Sequence, residues 1–173
     1  MKIAIVSDTH GNVANFKKAV KWIEAQNIGL ILHCGDIGTP EILKESLEDF
    51  KGKILGILGN MDADYKILID EYNKIKNVKI EEKILETKIS NKNIALTHKP
   101  DDARKLAESG KYDFVFYGHT HKPWEEKIVS LPEGGKVCRM INPGELAGQI
   151  FKPSFAVYDF ETNSLKLKIL ENI

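Results

Sequence analysis

Short apolar runs recur along this chain, and most stop abruptly at a carboxylate, an asparagine or a histidine. Residues 2–7 form the first, ending in Ser7-Asp8-Thr9-His10-Gly11-Asn12. A run of that length bounded by polar residues and glycine predicts a buried strand. Val13, Phe16, Val20 and Ile23 then fall at spacings of three and four, predicting a helix capped by Asn12. Residues 28–33 predict a second strand running into Cys34-Gly35-Asp36. Thr39 caps a second helix, with Pro40 at its first position and Glu41 in its first turn. Ile54 to Leu58 predicts a third strand ending in Gly59-Asn60-Met61-Asp62, followed by a helical stretch around Ile67, Leu68 and Tyr72. This β-α alternation predicts a parallel sheet covered by helices.

The second half reads differently. Val78 to Ile89 alternates apolar and polar positions, predicting one or two half-buried antiparallel strands. Asn93 to Thr97 predicts a buried strand that ends at His98, and Asp101 to Ser109 a short helix stopped by Gly110. Residues 113–117 predict a strand opening into Gly118-His119-Thr120-His121. Only strands are expected after that, at 125–130, 137–141, 154–160 and 164–170, with a turn at Pro132-Glu133-Gly134-Gly135. No repeat, low-complexity tract or linker interrupts the chain, so residues 1–173 are expected to form one α/β domain with two β-layers.

Composition narrows the class without choosing the chemistry. The 173 residues are 42% apolar and 29% charged, ordinary for a soluble globular protein with a full core. Twenty-five charges of each sign leave no net charge to favour nucleic acid or an anionic membrane. Cys34 and Cys138 each lie inside an apolar run, as reduced core cysteines of a cytoplasmic protein would. The first apolar stretch is too short for a signal peptide, and no run approaches a membrane span. Abundant lysine and isoleucine with only Gln26 and Gln149 as glutamines fits a thermophile.

The candidate chemistry lies where the runs end. Asp8 and His10, Asp36, Asn60, His98, and His119 with His121 stand at five such ends. Side chains just past the carboxyl ends of parallel strands point into one crevice. Two carboxylates in a dry crevice resist ionisation unless a cation neutralises them. Seven donors exceed one four-coordinate ion and suit two ions with a carboxylate shared. Taken singly, each signal also has a plainer reading as a turn, a helix cap or a core histidine. Their joint occurrence in strand order favours the metal. His119 and His121 would share one side of an extended backbone, or fan around a common centre in a tight loop. His33, inside a strand among apolar neighbours, reads as structural.

Together, Asp8-x-His10, Gly35-Asp36, Gly59-Asn60-x-Asp62, His98 and Gly118-His119-Thr120-His121 resemble the five blocks of the calcineurin-like metallophosphoesterases. The start Ser7-Asp8-Thr9-His10-Gly11-Asn12 and the short length resemble the small YfcE-like phosphodiesterases. The resemblance implies a four-layer α/β/β/α sandwich, with two mixed sheets flanked by helices. It implies two divalent ions: Asp8, His10 and His121 holding one, Asn60, His98 and His119 the other, and Asp36 bridging. Manganese is the expected metal, with nickel, cobalt, iron or zinc as alternatives that the same donors accept. The implied reaction is attack on phosphorus by a hydroxide held between the cations. Asn60, His98 and Asp62 form the implied catalytic set. Asp62, on the far side of its extended segment, either orients a ligand through hydrogen bonds or caps the following helix.

Two positions depart from the family pattern. Met61 stands where many relatives carry a histidine that assists the leaving group, so diesters and activated esters are expected over alkyl monoesters. Lys99-Pro100 follows His98 where relatives often have glycine, and Lys99 is expected to face solvent. Trp124, shortly after His121, is expected to be buried or at a strand edge. Asn142-Pro143-Gly144-Glu145 resembles a family loop near the site, with no role evident from the residues. The substrate is read as a small phosphoester, with nucleotides open, nucleic acid and membrane not expected, and a homo-oligomer open. The competing readings are a non-catalytic metal-binding scaffold of the same fold and a nucleotide-directed phosphohydrolase.

Overall fold

The computed structural model describes residues 1–62, 69–130 and 135–173. In chain order its elements are β1 (Lys2–Val6), α1 (Val13–Ala25), β2 (Leu30–His33), α2 (Pro40–Ser46), β3 (Lys53–Ile57), α3 (Ile69–Lys74) and β4 (Val78–Glu81). The second half adds β5 (Leu85–Ile89), β6 (Lys92–Leu96), α4 (Pro100–Glu108), β7 (Phe114–Phe116), β8 (Trp124–Val129), β9 (Val137–Asn142), β10 (Ser154–Asp159) and β11 (Ser164–Ile169). A 3-10 turn, Leu170–Asn172, follows. The anticipated caps form: Asn12 accepts the N–H of Asn15 at 3.1 Å, and Thr39 that of Ile42 at 3.3 Å.

Among the described residues the strands make two sheets, ordered β11-β10-β1-β2-β3-β4 and β5-β6-β7-β9-β8. Strands β1 to β4 run parallel, as do β6, β7 and β9. Side-chain alternation divides each apolar run between two faces. In β1, Ala4 and Val6 pack with Phe16, Val20 and Ile23 of α1, while Ile3 and Ile5 face the second sheet. In β6 and β7, Ile94, Leu96, Phe114 and Phe116 join that inter-sheet layer, whereas Ala95 and Val115 meet Ala103 and Ala107 of α4. Burial on both faces explains why these strands read as continuous apolar runs. The result is the four-layer α/β/β/α sandwich.

Two local expectations change. The stretch 78–89 is split between sheets, and only β5 is antiparallel to its neighbour; β4 lies parallel beside β3, with Ile54 opposite Val78. Alternation reported one buried face for each but carried no information about direction. Ile67 and Leu68 of the expected third helix, and Pro132 to Gly134 of the expected turn, lie outside the described residues.

Leu32 is fully buried in the inter-sheet layer, while Leu167 on the outermost strand is 45% exposed. Leu32→Ala should therefore cost about 2–5 kcal/mol in urea unfolding, and Leu167→Ala no more than about 0.5 kcal/mol. Equal losses would contradict a core centred between the sheets.

Candidate metal centre

The carboxyl ends of β1, β2 and β3 meet those of β6 and β7 at one end of the sandwich, and the loops there are laced together. The N–H groups of Asp8, His10 and Gly11 donate to the carbonyls of Gly35, Asp36 and Ile37 at 2.9–3.1 Å, and Gly118 donates to His98 at 3.1 Å. Two glycines permit the approach. A Cβ on Gly59 would lie 2.0 Å from Asp36 Oδ1, and one on Gly118 2.0 Å from Ser7 Oγ.

Asp8, His10, Asp36, His119 and His121 all have left-handed backbones, with φ between 43° and 68°. Such residues cost on the order of 1–3 kcal/mol each, and they gather where packing over-determines them. This settles how the histidine pair is arranged: the loop is tight, and the rings fan out to opposite sides of the site.

On one side, ligand atoms of Asp8, His10, Asp36 and His121 lie within 4.8 Å of one another. His10 Nε2 sits 3.2 Å from His121 Nε2 and 3.7 Å from Asp36 Oδ2, and Asp8 Oδ1 is 3.5 Å from His121 Nε2. On the other side, Asn60 Oδ1 is 2.9 Å from His98 Nε2 and 2.6 Å from His119 Nδ1. Asp36 Oδ2 is 3.4 Å from His98 Nε2. Asp36 thus faces both groups, with its other oxygen held by the N–H of Met61 at 2.8 Å. All seven expected donors converge.

His98 places Nδ1 2.8 Å from the Cys34 carbonyl, so Nδ1 carries a proton and Nε2 is the nitrogen that faces Asn60 and Asp36. His121 places Nδ1 3.1 Å from a Glu145 oxygen, which leaves Nε2 facing His10. Carboxylates, imidazoles and an amide oxygen so arranged fit divalent first-row cations. The titrations carry the same tension. Burial lifts the Asp8 carboxyl above the ordinary range, against the Ser7 hydroxyl, His98 and His121. Burial also works against ionised Asp36, but His98 and the Met61 N–H outweigh it and bring that carboxyl below its usual value. Burial opposes protonated His98, yet Asp36 holds that ring above the ordinary imidazole range. His119 lies below it, through burial and the neighbouring His98.

Asp62 touches none of these donors. Its buried carboxylate accepts the N–H groups of Ile37 and Gly38 at 3.0 Å and of Gly59 at 2.8 Å, fixing the two loops that present Asp36 and Asn60. Those contacts orient the segments on either side of Asp36 and Asn60, while the helix expected after Asp62 begins outside the described residues. His33 is structural as expected, but busier: Nδ1 accepts the Gly35 N–H at 3.2 Å, and Nε2 meets the Thr9 hydroxyl at 3.1 Å. Thr9 in turn donates to the Asp36 and Ile37 carbonyls. Lys99 is exposed. Trp124 opens the edge strand β8 and is 53% exposed, with Lys122 Nζ 5.6 Å from its ring centroid.

The sequence reading puts Glu145 in a loop near the site but gives it no role. It follows β9, another parallel strand, so the strand-end rule that found the ligands applies to it as well. Burial acts against its charge, but the N–H groups of Phe151, Gln149 and Ile150 hold its carboxyl below the ordinary range.

Known proteins share this chain's sequence and fold. The calcineurin-like phosphoesterase superfamily domain matches residues 1–163. Phosphodiesterase MJ0936 of Methanocaldococcus jannaschii is 29% identical over 99% of this chain and all of its own length. A probable metallophosphoesterase of the same organism, MJ0623, is 35% identical over 83% of this chain and 67% of its own. The solved structure of an archaeal phosphodiesterase superposes with TM-score 0.85 at 28% identity, covering 98% of this chain and 99% of that one. The E. coli phosphoesterase YfcE shares the fold, with TM-score 0.63 at 17% identity over 98% and 100% of the two chains.

Burial drives the His33 imidazole down to about 3. Between there and its ordinary 6.5 the unfolded chain takes up a proton that the folded chain refuses, so stability falls as pH drops below about 6.5. In metal-free protein, His33→Gln should flatten stability against pH over that window by about 1.4 kcal/mol per unit. Parallel curves from urea unfolding at stepped pH would contradict a neutral buried ring.

Proposed function

This chain belongs to the calcineurin-like phosphoesterase superfamily and is a hydrolase acting on phosphoester bonds, and we propose that it cleaves phosphodiesters with two divalent cations. One observation carries the reading: Asp36 Oδ2 faces His10 Nε2 on one side and His98 Nε2 on the other, at 3.7 and 3.4 Å. Asp8, His10 and His121 would hold one cation, Asn60, His98 and His119 the second, and Asp36 both. When bound, the cations would lower the pKa of a water and neutralise phosphate oxygens.

The chain's own residues do the rest. Asp8, Asp36, His98 and His121 are buried, whereas Asn60, Met61 and His119 are exposed, so substrate approaches from the Asn60–His119 side. Asn60 offers a neutral oxygen there, adding no negative charge beside an anionic ester. Asp62 keeps the Asp36 and Asn60 loops in register, the preorganisation that positioned catalytic groups require. Met61 has no proton to give a departing alkoxide, so leaving groups that depart unaided are favoured.

Metal-stripped protein refilled with manganese should hydrolyse bis-p-nitrophenyl phosphate faster than alkyl monoesters. An Asn60→Ala/His119→Ala double variant should lose at least about 10²-fold in kcat/KM, with one manganese bound by calorimetry against two in the parent. Faster alkyl monoester turnover would sink the diester preference. One ion per fully active parent chain would sink the two-cation reading.

One observation favours a nucleotide-directed version of this activity. Exposed Trp124 pairs with Asn142, whose amide donates to the Gly118 carbonyl and the Thr120 hydroxyl in the histidine loop. An aromatic face with Lys122 beside it suits a base and its phosphate. Trp124→Ala should raise KM for a dinucleotide diester roughly 5–100-fold, the worth of one stacked base, with kcat little changed. No change in KM would dismiss the platform.

A further inference from the structure

Glu145 is fully buried, and its carboxylate is saturated by groups on two sides. Oε2 accepts from His121 Nδ1 at 3.1 Å and from the N–H of Gln149 at 2.9 Å. Oε1 accepts from the N–H groups of Ile150 at 2.7 Å and Phe151 at 2.5 Å. The adjoining chain is stitched to the same place: Leu146 and Ala147 donate to the Ser7 and Asp8 carbonyls at 3.0 Å, and Asn15 donates its amide to the Leu146 carbonyl at 2.8 Å. A buried carboxylate that met only the 149–151 turn would be an ordinary loop anchor. Here the same oxygen that holds Gln149 also reaches the imidazole whose other nitrogen faces Asp8 and His10.

We propose that Glu145 is a positioning residue for the metal centre, fixing the proton of His121 on Nδ1 so that Nε2 is held as a ligand. The inference rests on the metal-centre reading above and deepens it. A carboxylate behind an imidazole sets the ring's tautomer and orientation and raises the basicity of the nitrogen opposite. Glu145 supplies the contact that holds the His121 ring from behind, at 3.1 Å. The same carboxylate ties the turn carrying exposed Ile150 and Phe151 to a group one hydrogen bond from His121.

The test uses the full chain stripped of metal. Glu145→Gln keeps the size and an acceptor for the Ile150 and Phe151 N–H groups, but sets an amide N–H against His121 Nδ1–H and the loop N–H of Gln149. Manganese titration by calorimetry should show one site weakened about 10–100-fold, the other within about threefold, and a metal-free melting temperature within a few degrees of the parent. Unchanged affinities, or a lowered melting temperature with unchanged affinities, would overturn the proposal and leave Glu145 a loop anchor. If the variant does not fold, the parent decides: two-bond 1H–15N spectra at pH 8 should find His121 protonated at Nδ1, and protonation at Nε2 overturns the proposal. A parent that binds a single manganese defeats the two-cation reading alone, and the nitrogen spectra of His121 then decide the proposal by the same criterion.

Discussion

Two buried carboxylates facing each other across a ring of imidazoles are the constraint on which the rest of the molecule depends. Asp8 and Asp36 are withdrawn from water at the meeting point of two sheets. Neither charge is tolerable there without compensation, and the compensation on hand is the neighbouring rings of His10, His98 and His121 together with main-chain N–H groups. The surrounding fold exists in a form that presses these groups together. Glycines at 59 and 118 let strand-end loops touch, and five left-handed residues turn side chains inward that an extended backbone would alternate. The strain is borne by the sheets behind the site, whose strands are buried on both faces and do not yield.

Around the ligands lies a layer of residues that never reach the substrate side. Asp62 ties the second and third loops, the His33–Thr9 pair ties the first and second, Asn142 holds the histidine loop, and Glu145 backs His121. Each spends its hydrogen-bonding capacity on main-chain groups, on a threonine hydroxyl of these loops or on the far nitrogen of His121. A site accurate enough to stabilise charge developing on phosphorus needs this support, because ligands on loops are otherwise free to drift. The arrangement also separates a buried floor, where the donors are held, from an exposed rim of Asn60, Met61, His119 and Trp124.

The ligands were legible in the sequence because a parallel sheet sends every strand's carboxyl end to the same edge. A polar residue after an apolar run is thus a statement about position in space as well as along the chain. Asp8, His10, Asp36, Asn60, His98, His119 and His121 all follow that rule. Glu145 follows it too, but it was passed over because β9 was not recognised as parallel, and strand direction is set by partners distant in sequence. The parallel placement of β4 was missed for the same reason. Asp62 was readable as a polar residue beside the site; that it clamps Ile37 and Gly38 depends on a contact between loops 25 residues apart.

By itself the sequence determined the periodicities, the caps at Asn12 and Thr39, the two-faced burial of the central strands and which side chains are candidate metal donors. All of these follow from local chemistry and a repeat of two or of 3.6 residues. Tertiary structure alone decided which donors share a side. His119 and His121, two residues apart, part to opposite groups through a left-handed loop that only the packing of Gly118 against Ser7 and Asp8 imposes. It likewise decided what each ring's second nitrogen meets, the Cys34 carbonyl 64 residues from His98 and the Glu145 carboxylate 24 residues from His121. Local chemistry chooses what a residue can offer; long-range packing chooses to whom it is offered.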